Sequence, residues 1–159
     1  MKHLSLRKLR LSDQSRFTKW WRDTELIKLT SGVLEPISDK MVAKYFTTML
    51  KDERDLNFMI TVDGKTVGHV ALMHRPRGWY ETQIVIGEKS AWGKGYGTLA
   101  IKSLLQRAKR KRIKKIYLEV RPDNSRAIGA YRKCGFVGGV VFKHPGSKSL
   151  PATLRMELG

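Results

Sequence analysis

Residues 92 to 98, Trp92-Gly93-Lys94-Gly95-Tyr96-Gly97-Thr98, place glycine at every second position. They follow an apolar stretch, Gln83-Ile84-Val85-Ile86-Gly87, and the short segment Glu88-Lys89-Ser90-Ala91. They open a segment in which Ile101, Leu104, Leu105 and Ala108 recur at i, i+3, i+4 and i+7. That pattern predicts a strand, a loop and an amphipathic helix, in that order. Glycine lets a backbone approach a ligand closely, the first N–H groups of a helix have no partner inside it, and the helix dipole favours an anion. The chemistry offered by this spacing is phosphate binding.

Two kinds of phosphate loop fit poorly. A Walker loop needs G-x-x-x-x-G-K-[ST], and no Lys-Ser/Thr pair follows these glycines. A dinucleotide loop is closer, since Gly95-Tyr96-Gly97-Thr98-Leu99-Ala100 fits G-x-G-x-x-A and Glu119 follows at a strand end. Against it, the segments before the loop read as antiparallel hairpins. Fewer than half of the residues remain after it, too few for a doubly wound sheet.

A third loop matches better. Trp92-Gly93-Lys94-Gly95-Tyr96-Gly97 resembles the coenzyme A loop of the GNAT (general N-acetyltransferase) superfamily, [R/Q]-x-x-G-x-[G/A], with Trp92 where Arg or Gln is commonest. A second block, from Leu118-Glu119-Val120 through Asn124, Ala127, Tyr131 and Lys133 to Gly135-Phe136, resembles the superfamily's L-E-V-x-x-x-N-x-x-A-x-x-x-Y-x-K-x-G-F signature. The string Trp-Gly-Lys-Gly-Tyr-Gly-Thr and the Asp23-Thr24-Glu25 turn after Trp20 are similar to the branch containing the ribosomal-protein N-terminal acetyltransferases. The likeness is weakest in the N-terminal third.

The resemblance implies an α/β (α+β type) fold: a mostly antiparallel, twisted mixed sheet of six to seven strands, flanked by about four helices and splayed between two parallel central strands. It implies acetyl transfer from acetyl-CoA to a primary amine, by direct attack in a ternary complex. The backbone of Val85, Ile86 and Gly87 would hold the pantetheine arm, and an N–H of the same strand would face the oxyanion. Residues Trp92, Gly93, Lys94, Gly95, Tyr96, Gly97 and Thr98 would hold the pyrophosphate, with Asn124 and Tyr131 completing the donor site.

Tyr131 lies seven residues after Asn124, two helical turns on, so the two share a face with Ala127. The resemblance makes Tyr131 the acid that protonates the departing thiolate, a role suited to a phenol with a pKa of about 10. Glu119 alternates with Leu118 and Val120 and so faces the side of Tyr117. By resemblance it takes the proton from the acceptor ammonium; Glu81 and Glu88 are the substitutes, acting through a water.

The elements that must position these groups read as one domain over residues 1–159. Leu4 to Arg10 alternates as a strand. Ser12 or Asp13 caps a short helix carrying Phe17, Trp20 and Trp21, in a region that forms one wall of the acceptor pocket in the resembling enzymes. Pro36 and Ser38 start a second helix with Met41, Val42, Tyr45, Phe46 and Met49 on its inner face. Strands 56–62 and 66–73 flank the hairpin signal Asp63-Gly64, and 79–86 is the strand before the loop. Strand 116–120 must run parallel to 79–86, because a helix crosses between them. Asn124 caps a helix ending at Gly135, and 136–142 with 153–158 closes the sheet as a hairpin.

Composition limits the remaining functions. A hydrophobic fraction of 41% suits a soluble fold, and the single cysteine, Cys134, cannot form an internal disulfide. It reads as a small buried apolar group rather than a nucleophile. The histidines and cysteine show no metal-binding spacing, so no metal is expected. The N-terminus lacks the apolar run of a signal peptide and no stretch approaches a membrane span of roughly 20 residues, which predicts a cytoplasmic protein without membrane contact. Lys and Arg number 32 against 14 Asp and Glu, a net +18. A positive field helps a polyanionic donor arrive but repels a polycationic acceptor such as a polyamine. Seven of the nine residues from Arg107 to Lys115 are basic. That run is either solvated surface or a footprint for RNA or the ribosome. Two rival functions follow: a basic ribosome- or RNA-associated module of the same fold with little turnover, and an amino-sugar or antibiotic N-acetyltransferase. A monomer and a homodimer are equally compatible with the sequence.

Overall fold

Runs rich in β-branched and aromatic residues form seven strands of one sheet. They are Leu4–Lys8 (β1), Leu56–Val62 (β2), Lys65–His74 (β3), Tyr80–Ile86 (β4), Ile116–Val120 (β5), Phe136–Lys143 (β6) and Ala152–Leu158 (β7). The spatial order is β1-β2-β3-β4-β5-β7-β6, and only β4 and β5 run parallel. The computed structural model describes residues 2–28, 37–147 and 151–159. Asp63 and Gly64 turn the β2–β3 hairpin with φ of 50° and 80°, the left-handed pair that a tight hairpin requires.

The strands sort their side chains between two helical layers. Phe58, Ile60, Val70, Leu72 and Leu118 pack with Ile101, Leu104 and Ala108 of Tyr96–Arg110 (α4) and with Ile128 of Ser125–Lys133 (α5). Met59 and Val85 point the other way, onto Phe17 and Trp20 of Gln14–Trp20 (α1), Leu26 of Thr24–Lys28 (α2), and Val42 and Phe46 of Asp39–Lys51 (α3). The alternation of Phe58, Met59 and Ile60 between the layers follows from the two-residue period of a strand.

The caps were only partly foreseeable. Ser38 Oγ accepts the Met41 N–H at the start of α3, and Asn124 Oδ1 accepts the Ala127 N–H at the start of α5. Pro36, expected beside Ser38, lies outside the described residues. Tyr45 departs from expectation: it is exposed, its ring edge-on to Trp21 at 6.3 Å, because the inner stripe of α3 is carried by Val42 and Phe46. Asp13 stands at the cap position of α1, but its side chain accepts no N–H of that helix and closes the preceding 3-10 turn instead. It is fully buried and accepts hydrogen bonds from Arg7 Nη1 and Nη2 (2.9 and 2.8 Å), the Arg10 N–H (2.8 Å) and Arg16 Nη1 (3.0 Å). It thereby fastens β1 to α1.

Two edges of the sheet matter below. β4 and β5 pair only at Tyr80↔Ile116 and Glu81↔Tyr117, after which the two strands part as the resemblance implied. β6 closes the far side with Val137, Val140, Val141 and Phe142 exposed, and its pairing to β7 shifts register at Gly138 and Gly139.

Burial pushes the Asp13 carboxyl up, while the hydrogen bonds from Arg7 and the Arg10 N–H and the charges of Arg7 and Arg16 outweigh it and hold it below the usual range. A depressed carboxylate gives stability that is present above its unfolded pKa and lost as pH falls through the folded one. Asp13→Ala should therefore lose about 3 kcal/mol in urea unfolding at pH 7, since it leaves arginine charge unpaired. That deficit should shrink as the wild type is acidified below about pH 4.

Candidate active site

The antiparallel ladder between β3 and β4 decides which backbone groups reach the gap. The Gly87 N–H donates to Val67 O at 2.9 Å, and hydrogen-bonded pairs alternate along such a ladder. Glu81, Gln83, Val85 and Gly87 thus turn their backbone groups toward β3. Thr82, Ile84 and Ile86 turn theirs toward the place that β5 vacates, in line with the Tyr80 N–H donating to Lys115 O at 2.8 Å.

Of the donor-facing trio expected from the sequence, the ladder therefore leaves Ile86 at the gap and turns Val85 and Gly87 to β3. Ile84, two residues back on the same side, is the position that sequence reasoning missed. Gly87 serves the packing instead. A Cβ there would lie 2.0–2.3 Å from the Trp20 indole, so glycine is what admits that ring.

The loop beyond β4 is pinned at one end and bare in the middle. Trp92 Nε1 donates to Ile86 O at 2.8 Å, and the Tyr96 side chain is buried in the core. Between them Gly93 and Gly95 take φ of 74° and 80°, a conformation that favours glycine. Gly95 immediately precedes α4, and a Cβ there would meet nothing within 4 Å. Exposed Lys94 sits on the loop, and Arg126 of α5 brings Nη2 to 3.3 Å from the Cβ position of Gly93. An open cradle of backbone N–H groups at a helix start, with two cations beside it, fits a diphosphate. Arg126 was not visible as part of this site in the sequence, because it reaches the loop from another helix.

At the gap lies a cavity of about 520 Å³ that reaches both layers. Ile84, Val120, Asn124, Ala127 and Tyr131 line it toward α5; Trp20, Trp21, Leu26, Tyr45 and Met49 line it toward α1, α2 and α3. Glu81 and Glu119 enter from β4 and β5. Glu88 is not among the lining residues and pairs with Lys19 Nζ at 2.9 Å.

These groups differ in what they can do. Tyr131 is half-buried, edge-on to Phe136 at 6.3 Å, and burial raises its phenol further above its ordinary range, so it holds its proton at neutral pH. Glu81 accepts from Arg75 Nε and Nη2 at 3.0 and 2.8 Å. Glu119 Oε1 accepts from the Thr153 hydroxyl at 2.9 Å. At the cavity floor Asn57 Oδ1 lies 2.9 Å from His69 Nε2, and burial drives His69 down to about 4, leaving it neutral at pH 7. Asn57 Nδ2 and Thr82 Oγ1 have no partner among the described residues. Cys134 sits half-buried with Sγ 3.7 Å from Thr98 O, its thiol raised by burial and so poorly nucleophilic.

Comparison with known proteins is decisive at the level of family. The family model described as an acetyltransferase (GNAT) domain matches residues 3–137. The chain belongs to the GNAT acetyltransferases. It is accordingly an N-acetyltransferase that works with acetyl-CoA. No curated protein matches it significantly.

Among solved structures, this acetyltransferase is similar to a spermidine N-acetyltransferase from Vibrio cholerae in complex with CoA and spermine (23% identity, 97% and 94% of the two chains, TM-score 0.82). It is also similar to an N-acetyltransferase from Staphylococcus aureus Mu50 (20%, 98% and 98%, 0.81) and to a GNAT acetyltransferase from Bacillus anthracis (18%, 97% and 93%, 0.81). These identities establish a shared fold. The likeness to the ribosomal-protein branch rests on the sequence strings alone. Among the described residues no group of three or more His, Cys, Asp or Glu is placed to hold a metal ion, and no helix is long and apolar enough to cross a membrane.

Gly95→Val should raise the coenzyme A Kd by about tenfold or more in calorimetry, a loss of roughly 1.4 kcal/mol or greater, because the added side chain fills the cradle at a left-handed position.

Proposed function

We propose that this enzyme acetylates a compact primary amine carrying an aliphatic or aromatic group, with Glu119 as base and Tyr131 as acid. The observation that carries the reading is that Glu119, on β5, and Tyr131, on α5, line one cavity. Acetyl-CoA would supply the thioester; residues 93–98 would hold its diphosphate and the backbone of Ile84 and Ile86 its arm.

Each residue then has a separate role. Glu119 takes a proton from the ammonium, since only the free amine has a lone pair to attack with. The backbone N–H groups of Ile84 and Ile86 are the candidates to face developing oxygen charge. Tyr131 Oη gives its proton to the departing sulfur. Glu81 is the weaker candidate for base, because Arg75 Nε and Nη2 already occupy its Oε1.

The cavity walls select the acceptor. Trp20, Trp21, Leu26, Ile27, Ile37, Tyr45, Met49 and Met73 make an apolar surround. Two carboxylates line the cavity among the described residues, and one already carries an arginine. A polyamine would bring two or more cations into that space with too little acid to meet them. A monoamine, or a peptide whose first residue is apolar, leaves a single charge for Glu119. The Asn57 amide at the floor offers an N–H donor to an oxygen of the acceptor.

In a thiol-release assay with acetyl-CoA, aromatic monoamines and peptides with an apolar first residue should exceed spermidine by about tenfold or more in kcat/KM, the discrimination one charge or one apolar contact supplies. The reverse order would overturn the acceptor class. Tyr131→Phe should lower kcat by roughly 10²–10⁴ with coenzyme A affinity unchanged. Wild-type turnover in that variant would remove Tyr131 from the chemistry.

A further inference from the structure

Glu119 must shed one proton in every catalytic cycle, and the acceptor that delivers it then fills the space in front of the carboxylate. Beside the carboxylate stands a second route. Thr153, on β7 and only 2% exposed, brings Oγ1 to 2.9 Å from Glu119 Oε1. His144 brings Nε2 to 3.0 Å from the same oxygen atom of Thr153. All three residues line the cavity. His144 is itself half-exposed, and its backbone N–H donates to Pro151 O at 2.7 Å across the open end of the β6–β7 hairpin. A buried strand position needs no hydroxyl for packing; this one is bonded on both sides, to a carboxylate and an imidazole.

We propose that Thr153 and His144 form a relay that carries the acceptor's proton from Glu119 to water. The proposal rests on the reading of Glu119 as the base. The protonated carboxyl of Glu119 gives its proton to Thr153 Oγ1 while the Thr153 hydroxyl gives its own to His144 Nε2. The imidazolium then releases its Nδ1 proton to solvent. One proton enters and one leaves; in the end state the Thr153 hydroxyl donates to Glu119 Oε1, as it does in the structure, which leaves His144 Nε2–H to donate to Thr153. Rotation of the hydroxyl and tautomer exchange in water reset the chain. Neither residue touches the reacting atoms; both are positioning residues that act through Glu119.

The test compares variants in steady-state turnover with a saturating amine acceptor, with folding checked by circular dichroism. Thr153→Val should lower kcat by about 10²-fold with the KM for acetyl-CoA unchanged, and Thr153→Ser should restore it. His144→Ala should show a similar loss, relieved saturably by imidazole in the buffer. His144→Gln keeps an N–H donor for Thr153 but cannot carry a proton, and it should stay slow. In the donor-free protein, nitrogen-15 NMR should show His144 held as the Nε2–H tautomer, and Thr153→Val should abolish that tautomer preference. Should Thr153→Val fail to fold, the pair His144→Ala and His144→Gln decides alone. Wild-type turnover in His144→Gln, or in Thr153→Val, would overturn the relay while loss of activity in Glu119→Gln kept the base. Full activity in Glu119→Gln would overturn the base assignment and the relay with it.

Discussion

The parting of β4 and β5 is the constraint from which the rest of this molecule follows. Parallel strands bond to each other continuously unless something draws one away, and here β5 leaves β4 after two residue pairs and completes its bonding with β7. The separation turns the backbone N–H groups of Ile84 and Ile86 away from a strand partner that a closed sheet would have given them, while Trp92 Nε1 takes the Ile86 carbonyl. It also opens a passage between the two helical layers, which the cavity lined by Trp20, Ile84, Glu119 and Tyr131 occupies. Glu119 and Tyr131 belong to different layers and share a cavity only because of this opening.

Packing on either side keeps the passage open and shaped. On one face the α4 stripe of Ile101, Leu104 and Ala108 seats the helix against β-strand side chains, which fixes where its first turn presents N–H groups. On the other, Phe17 stacks edge-on to Trp20 at 5.6 Å and lies 5.5 Å from Phe46, joining α1 to α3. Gly87 lets Trp20 rest against the end of β4, so the wall of the amine side and the start of the donor loop are built on one contact. Trp92 adds the second fastening, from the loop back to Ile86.

Much of this could be read from the residues in order. The Asp63-Gly64 turn, the α4 stripe, the Asn124 cap and the parallel crossover are local signals, and each sits where its chemistry requires. The glycine loop was legible for the same reason. What could not be read was set by partners far apart in the chain. Asp13 looked like a cap because Asp caps helices, but Arg7 and Arg16 claimed its carboxylate. Val85 and Gly87 looked equivalent to Ile86, since nothing in a sequence tells which side of a ladder a residue bonds. Thr153 and His144 carry no motif at all; the β5–β7 pairing brings Thr153 to Glu119, and the β6–β7 hairpin brings His144 to Thr153. Glu88, next to the loop in sequence, proved to be bound to Lys19 instead.

The free border of β6 has a colloidal consequence. Val137, Val140, Val141 and Phe142 leave apolar side chains in water along an edge strand that, among the described residues, pairs on one side only, and such borders invite the same strand of another molecule. The kink at Gly138–Gly139, where Gly138 takes a φ of 87°, spoils the straight template that stacking would need. A net charge of +18 then keeps neighbouring molecules apart. That protection is electrostatic and therefore tied to ionic strength: concentrated solutions of this protein should stay clear in dilute buffer and turn cloudy as added electrolyte shortens the reach of the repulsion.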